Sequence, residues 1–326
     1  MVCLQDGFGR QFHYLRLSIT DVCNFRCNYC LPLGYQKKQQ PPALSINEIQ
    51  NLVTAFAELG TFKIRLTGGE PTLRTDVVDI AWAIASIPGI KKVALSTNGY
   101  RLKNLVKPLI AAGVSALNVS VDSMLEARFK DITGHARLNE ILEAIEYALS
   151  FNKLTIKINA VLLKGMNETE LAVYLDWIKH RPVSIRFIEL MQTGDNDAFF
   201  KRYHVPAQVI KQQLQERGFA PVLKQPGDGP AIEMMHPDYQ GKIGLIAPYS
   251  KDFCNSCNRL RVSSQGALQL CLFGGTQYNV RHLLQLPSQK EELISRLIAI
   301  VKEKPFAHEL AEGRYGQTQS FVQIGG

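Results

Sequence analysis

Six of the seven cysteines fall into two tight groups. The first reads Cys23-Asn-Phe-Arg-Cys27-Asn-Tyr-Cys30, a C-x3-C-x2-C pattern. The second reads Cys254-Asn-Ser-Cys257, with Cys271 after thirteen intervening residues. Thiolates are soft ligands that select zinc, copper(I) or iron–sulfur clusters. A structural zinc site is closed by four protein ligands, and each group here offers three. Three cysteines on a cubane cluster leave one iron open to another ligand. Zinc is the competing reading, with His13 or a distant cysteine as fourth ligand at the first group. At the second group, zinc completed from elsewhere competes more strongly. Six thiols are too many for one zinc or one cluster, so a single joint site fits poorly. Cys3 stands alone and reads as an ordinary thiol. The odd count and long chain argue against a disulfide framework.

Two further patterns carry chemistry. Arg65-Leu-Thr67-Gly68-Gly69-Glu70-Pro71 closes an apolar run. In parallel α/β folds, ligands bind at the carboxyl ends of strands, and paired glycines there let backbone approach a ligand. Glu70 is placed to accept hydrogen bonds from an ammonium group. Arg259 and Arg261 lie two residues apart just after Cys257, so on a strand they share a face. Paired guanidinium groups suit phosphate geometry. No G-x-x-x-x-G-K-[ST] or G-x-G-x-x-G is present, so any nucleotide must be held by scattered side chains.

The elements that position these residues follow from periodicity. Candidate strands lie near Leu15–Ile19, Ile64–Thr67, Val93–Thr97, Ala116–Val121, Thr155–Leu162 and Ser184–Glu189. Helical patterns cover Asn47–Leu59, Val77–Ser86, Leu102–Ala112, Leu138–Leu149 and Glu170–Lys179. Ser45-Ile-Asn-Glu48 is a capping-box pattern before the first of them. The alternation argues a parallel sheet with right-handed crossovers, as a partial barrel or a doubly wound sheet. Gln225-Pro-Gly-Asp-Gly-Pro230 is a turn-rich boundary. Beyond it, Lys242–Ile246, Arg259–Val262 and Ala267–Leu272 read as short strands, with a turn at Ser264–Gly266, and Glu291–Lys302 as a helix.

The chain has 326 residues, 46% hydrophobic and 20% charged, which suits one large or two folded domains and excludes disorder as the main state. No apolar run reaches the ~18 residues of a membrane span. The first residues lack a secretory h-region, so the cytoplasm is the expected compartment. A formal net charge of +8 favours an anionic partner.

Cys-x3-Cys-x2-Cys followed by Gly-Gly-Glu-Pro resembles the radical S-adenosylmethionine superfamily. Phe253-Cys-Asn-Ser-Cys-Asn-Arg-Leu-Arg-Val262, Cys271-Leu-Phe273 and the terminal Gly325-Gly326 narrow the resemblance to the GTP 3′,8-cyclases of molybdenum cofactor biosynthesis. It runs from about Tyr14 to the last residue, with the motifs in the same order.

The resemblance implies an α/β fold: a six-stranded partial (β/α)6 barrel over residues 1–225, its open side closed by a smaller α+β domain over 226–326. It implies two [4Fe–4S] clusters, one on Cys23, Cys27 and Cys30 and one on Cys254, Cys257 and Cys271. The open iron of the first would bind S-adenosyl-L-methionine and that of the second would face the guanine of GTP. Tyr29, Gly69, Ser120 and Met191 match contacts to S-adenosylmethionine. Arg16, Arg65, Lys157 and the segment Asn258, Arg259, Leu260, Arg261 match contacts to GTP. Ser96 stands where relatives often carry threonine at a GTP contact, and the hydroxyl is kept. Gly325 and Gly326 match a tail reaching into the active site.

The implied activity is that of a lyase. One electron from the first cluster cleaves S-adenosylmethionine, the resulting 5′-deoxyadenosyl radical takes hydrogen from C3′ of GTP, and C3′ attacks C8. A further electron and a proton give (8S)-3′,8-cyclo-7,8-dihydroguanosine 5′-triphosphate. The catalytic set is then Cys23, Cys27, Cys30, Arg259 and Arg261. Implied partners are GTP, an external electron donor and, by pathway, cyclic pyranopterin monophosphate synthase. Nucleic acid and membrane are not expected, and the chain would act as a monomer or homodimer. A related enzyme using another nucleotide or a peptide is the alternative; Arg259, Arg261 and the Gly-Gly tail argue against it. A zinc-binding nucleic-acid module is the third reading; six βα units and few aromatics near the basic residues argue against it.

Overall fold

A computed structural model describes residues 3–37, 39, 41–223 and 228–316. The expected boundary at Gln225 and the terminal Gly325 and Gly326 lie outside the described residues.

Twelve strands form one sheet among these residues. They are β1 (Tyr14–Ser18), β2 (Lys63–Thr67), β3 (Lys92–Thr97), β4 (Val114–Ser120), β5 (Thr155–Leu162), β6 (Ser184–Glu189), β7 (Ala220–Pro221), β8 (Ile232–Met235), β9 (Lys242–Ile246), β10 (Arg259–Val262), β11 (Ala267–Gln269) and β12 (Gln277–Asn279). The order is β12-β11-β10-β1-β2-β3-β4-β5-β6-β9-β8-β7. From β10 through β9 every pairing is parallel. The outer pairings are antiparallel.

The helices are α1 (Ile46–Glu58), α2 (Val77–Ala85), α3 (Leu102–Ala111), α4 (Glu126–Thr133), α5 (Leu138–Leu149), α6 (Leu171–Ile178), α7 (Asp197–Tyr203), α8 (Gln208–Glu216) and α9 (Lys290–Lys302). Strands β1 to β6 follow one another in sequence, each joined to the next through helix. With right-handed crossovers throughout, those helices lie on one face of the sheet. A doubly wound sheet reverses its order at a switch point, and these six strands do not. That alternative is therefore overturned.

Side-chain alternation sorts the two faces. Leu15, Leu17, Ile64, Leu66, Leu260 and Val262 are buried in the main hydrophobic core. The intervening residues Tyr14, Arg16, Lys63, Arg65, Arg259 and Arg261 turn to the other face. A parallel sheet covered on both faces reads as a continuous apolar run, so this alternation marks a polar interior.

The C-terminal strands do not stand apart. β9 adds to β6, and β10 adds to β1, so the last third of the chain extends both edges of the six-stranded core. The capping box forms as expected: Glu48 N–H donates to Ser45 Oγ at 3.2 Å, and Ser45 N–H to Glu48 Oε2 at 2.8 Å. The same Glu48 receives Arg281 at 2.8 Å, tying the segment after β12 to the start of α1. No helix among the described residues is long and apolar enough to cross a membrane.

Helices α4, α7 and α8 and the short β7, β8 and β12 were not evident from periodicity. α4 buries only Phe129, Ile132 and Thr133, too few for a clear apolar stripe. The strand expected over Ala267–Leu272 stops at Gln269. The chain leaves the sheet there, and the Lys304 ammonium binds the Leu270 carbonyl beside Cys271.

Candidate active site

Two cavities occupy the polar face. The first is lined by Cys23, Cys27, Cys30, Tyr29, Gly68, Gly69, Ser96, Ser120 and Asp122, among others. The second is lined by Arg16, Arg65, Arg186, Arg259 and Arg261 together with Cys254, Cys257 and Cys271. Their empty volumes, open solvent included, are about 1130 Å³ and 910 Å³. Asn159, Ile188 and Met191 line both, so the cavities share a wall.

The loop carrying the first triad is held from several sides. Arg26 and Asn28 N–H groups donate to the Thr133 and Ile132 carbonyls at 3.2 and 3.0 Å, at the end of α4. Phe25 stacks on His135 at 4.4 Å, and Asn98 Nδ2 donates to Asn24 Oδ1 at 2.9 Å. The Leu31 and Cys30 N–H groups both reach the Cys27 carbonyl, turning the loop so that the three thiols face the cavity. Across from them run Gly68 and Gly69. A Cβ on Gly69 would lie 2.4 Å from the Val22 carbonyl oxygen, and one on Gly68, at φ +145°, would lie 2.2 Å from that of Thr20. Only glycine allows the two loops to pass this closely.

Glu70 does not face the cavity as the sequence suggested. It is fully buried, accepting Thr72 N–H at 3.0 Å, Thr97 Oγ at 2.8 Å and Asn98 N–H at 2.6 Å. It braces the β2 and β3 ends.

The thiols suit a soft cationic centre. Burial pushes Cys23 up to about 11. Burial, Asp122 and the other two thiols push Cys27 well above the ordinary value. Protons are hard to remove from this crowded triad unless a metal centre takes their place. At the second triad, burial raises Cys257, but Arg259 and Lys304 outweigh it and bring it to about 7. Among the described residues, no three His, Cys, Asp or Glu side chains are gathered as ligands of a single metal ion.

The cations of the second cavity are arranged by register. Arg16 is the partner of Arg65 on one side and Arg261 on the other, while Tyr14 pairs with Lys63 and Arg259. Among the described residues, no carboxylate lines this cavity. The Nε groups of Arg65, Arg186 and Arg261 are buried without a hydrogen-bond partner among the described residues. Burial, then like charge, holds Arg16 down at about 9 and Arg261 at about 10. A polyanion with many acceptor oxygens is the ligand such a basin fits.

Tyr29, Gly69, Ser120 and Met191 all line the first cavity, as a common site requires. Arg16, Arg65, Arg259 and Arg261 line the second. Ser96, expected with the GTP contacts, lies in the first cavity instead. Lys157 lines a third cavity, which meets the second at Arg186 and Gly229 and holds Glu233 between Lys157 (3.7 Å) and Arg186 (3.0 Å). Asn258 donates to the Asp228 carbonyl at 3.1 Å, and Leu260 is a core side chain.

Sequence reasoning missed Arg186, Asp122, Asn159, Lys304 and His308. Period-two counting along β5 and β6 places Asn159 and Arg186 on the cavity face and could have found them. Asp122 follows β4 and accepts the Tyr29 hydroxyl at 2.9 Å. Nothing in the sequence points to Lys304 or His308.

Residues 17–178 match the Radical SAM superfamily, and residues 183–310 match Molybdenum Cofactor Synthesis C. Among solved structures, Streptococcus suis SuiB bound to S-adenosylmethionine superposes with a TM-score of 0.65 at 13% identity, over 90% of this chain and 69% of that one. anSMEcpe with bound AdoMet gives 0.54 at 14% identity, over 87% and 84%. At such identities the likeness speaks for the fold, and the class is the radical S-adenosylmethionine α/β fold. Sequence relatives are far nearer. GTP 3′,8-cyclase of Aeromonas hydrophila subsp. hydrophila is 51% identical across 99% of this chain and 96% of its own. That of Synechococcus elongatus is 48% identical across the full length of both. The chain belongs to the GTP 3′,8-cyclase family.

Proposed function

We propose that the chain is a lyase that cyclises GTP to (8S)-3′,8-cyclo-7,8-dihydroguanosine 5′-triphosphate, the first step of molybdenum cofactor biosynthesis. The observation that carries this reading is the shared wall: a thiol-lined cavity meets an arginine-lined one at Asn159, Ile188 and Met191.

Cys23, Cys27 and Cys30 are the residues to hold a [4Fe–4S] cluster, with S-adenosylmethionine against Tyr29, Gly69, Ser120 and Met191. When bound, this pair supplies one electron and a hydrogen-abstracting carbon radical. Cys254, Cys257 and Cys271 are the residues to hold a second cluster. Arg16, Arg65, Arg259 and Arg261 bind the substrate phosphates, with Lys157 reaching the same region past Arg186. Their role is to orient the nucleotide and replace its hydration. The apolar members of the wall, Ile188 and Met191, keep water from the point where the two ligands meet.

In this reading β1 to β6 form a partial (β/α)6 barrel over residues 1–225, with residues 226–326 as the C-terminal domain closing it. The protein works in the cytoplasm as a monomer or homodimer, takes electrons from an external donor, and hands its product to cyclic pyranopterin monophosphate synthase.

The test is anaerobic turnover of the reconstituted, reduced protein with S-adenosylmethionine and GTP. Loss of GTP matched by an isomeric cyclised product is the expected result. Formation of 5′-deoxyadenosine with GTP untouched would discard the substrate.

A further inference from the structure

Among the described residues, the wall between the two cavities contains one polar side chain. Of its three residues, Ile188 and Met191 offer no neutral donor or acceptor of ordinary strength, whereas Asn159 offers both. Asn159 lies on β5, in register with Ser120 of β4 and Arg186 of β6. Ser120 lines the first cavity and Arg186 the second, so Asn159 stands between a residue of each. Its backbone carbonyl is engaged by Val121 N–H at 2.9 Å, which fixes the strand. Its side-chain Oδ1 is buried and has no hydrogen-bond partner among the described residues. A buried amide oxygen left unsatisfied costs stability unless a ligand completes it.

Resting on the reading of GTP as substrate, we infer that Asn159 binds the ribose hydroxyls of the nucleotide and thereby turns its sugar toward the first cavity. The phosphates belong among the arginines of the second cavity, and the reacting hydrogen must be presented at the wall. A vicinal diol has both donors and acceptors, and the Asn159 carboxamide supplies the complementary pair in either orientation of the amide. The arginines hold one end of the substrate and leave rotation about the sugar open. Asn159 removes that freedom and holds the sugar in a near-attack geometry.

The test compares binding of GTP and 2′,3′-dideoxy-GTP to the anaerobically reconstituted full chain, with Asn159→Leu as the near-isosteric variant. The wild type should bind GTP about tenfold more tightly than the dideoxy analogue, the scale of one or two neutral hydrogen bonds. Asn159→Leu should lose that preference while binding the analogue as the wild type does. Equal weakening toward both nucleotides, or a retained preference, overturns the assignment. Equal wild-type affinity for both nucleotides overturns it as well. Should Asn159→Leu lose iron or fold poorly, Asn159→Ser, smaller and still polar, is read the same way with a reduced preference expected. Failure of the wild type to bind GTP at all would instead overturn the functional reading beneath it. A second readout uses GTP deuterated at C3′. Asn159→Leu should release 5′-deoxyadenosine with a lower deuterium fraction than the wild type, and an unchanged fraction would count against a role at the sugar.

Discussion

Arg16 and Arg261 are register partners on adjacent parallel strands, although one lies near the start of the chain and the other in its last quarter. Both line the second cavity; burial and then Arg261 depress the Arg16 guanidinium, while burial and then Arg259 depress that of Arg261. The fold thus holds like charges together where, among the described residues, no carboxylate lines the cavity. Replacing Arg261 by Ala should weaken GTP binding about 10- to 100-fold, the scale of one charge-assisted contact, with iron content unchanged. Equilibrium binding and iron analysis on the same preparation check this. Loss of iron would show that Arg261 supports the cysteine loop instead.

Lysine titration gives a second prediction. Burial and then Arg65 hold Lys63 at about 7; burial and then Arg186 hold Lys157 at about 8. Both lie below the ordinary lysine value of 10.5, so above pH about 7 the unfolded chain binds more protons than the folded one. These two groups therefore favour folding increasingly as pH rises from about 7 toward 10. A triphosphate in the arginine-lined cavity, which meets that of Lys157 at Arg186, should raise the Lys157 value again. Between pH 8 and 9, GTP binding should take up protons, and its affinity should fall as pH rises. Calorimetry in two buffers of different ionisation enthalpy measures the uptake, and proton release would contradict it.

Gly69 supplies a structural prediction. A methyl group at this position meets Val22 backbone at 2.4 Å, and backbone cannot swing aside as a side chain can. Gly69→Ala should destabilise the fold by ~1–3 kcal/mol through overpacking and should shift the Cys23 loop. Thermal denaturation and iron retention after reconstitution report the two effects. An alanine variant with wild-type melting and full iron would mean the loops separate freely.

The cysteine triads predict iron stoichiometry. Two cubanes imply about eight irons per chain. Cys27→Ser should leave about four and abolish cleavage of S-adenosylmethionine, because two thiolates rarely hold a cubane. Cys257→Ser should also leave about four, but cleavage should persist without GTP cyclisation. Zinc in place of iron at either triad would contradict the assignment.

Much of this site was legible because its chemistry is local in sequence. Three thiols within eight residues, Gly68-Gly69 after a strand, and Arg259-x-Arg261 each announce themselves. β5, β6, β9 and β10 match their expected bounds because alternation and flanking turns define them. Pairings between distant segments were not legible. Nothing local says that β10 adds beside β1, or that β9 adds beside β6. Glu70 looked like a ligand contact because its three partners, Thr72, Thr97 and Asn98, meet it only in the folded chain. Lys304, bound to the Leu270 carbonyl beside Cys271, sits just past a helix end that reads as ordinary surface.

The most direct measurement is a single anaerobic turnover with S-adenosylmethionine and GTP deuterated at C3′, read by mass spectrometry. Deuterium in the 5′-deoxyadenosine together with loss of GTP is the expected result, and it would establish cofactor, substrate and abstracted hydrogen at once. Unlabelled 5′-deoxyadenosine beside intact GTP, from protein with its full iron, would contradict the central claim that the two cavities act as one site.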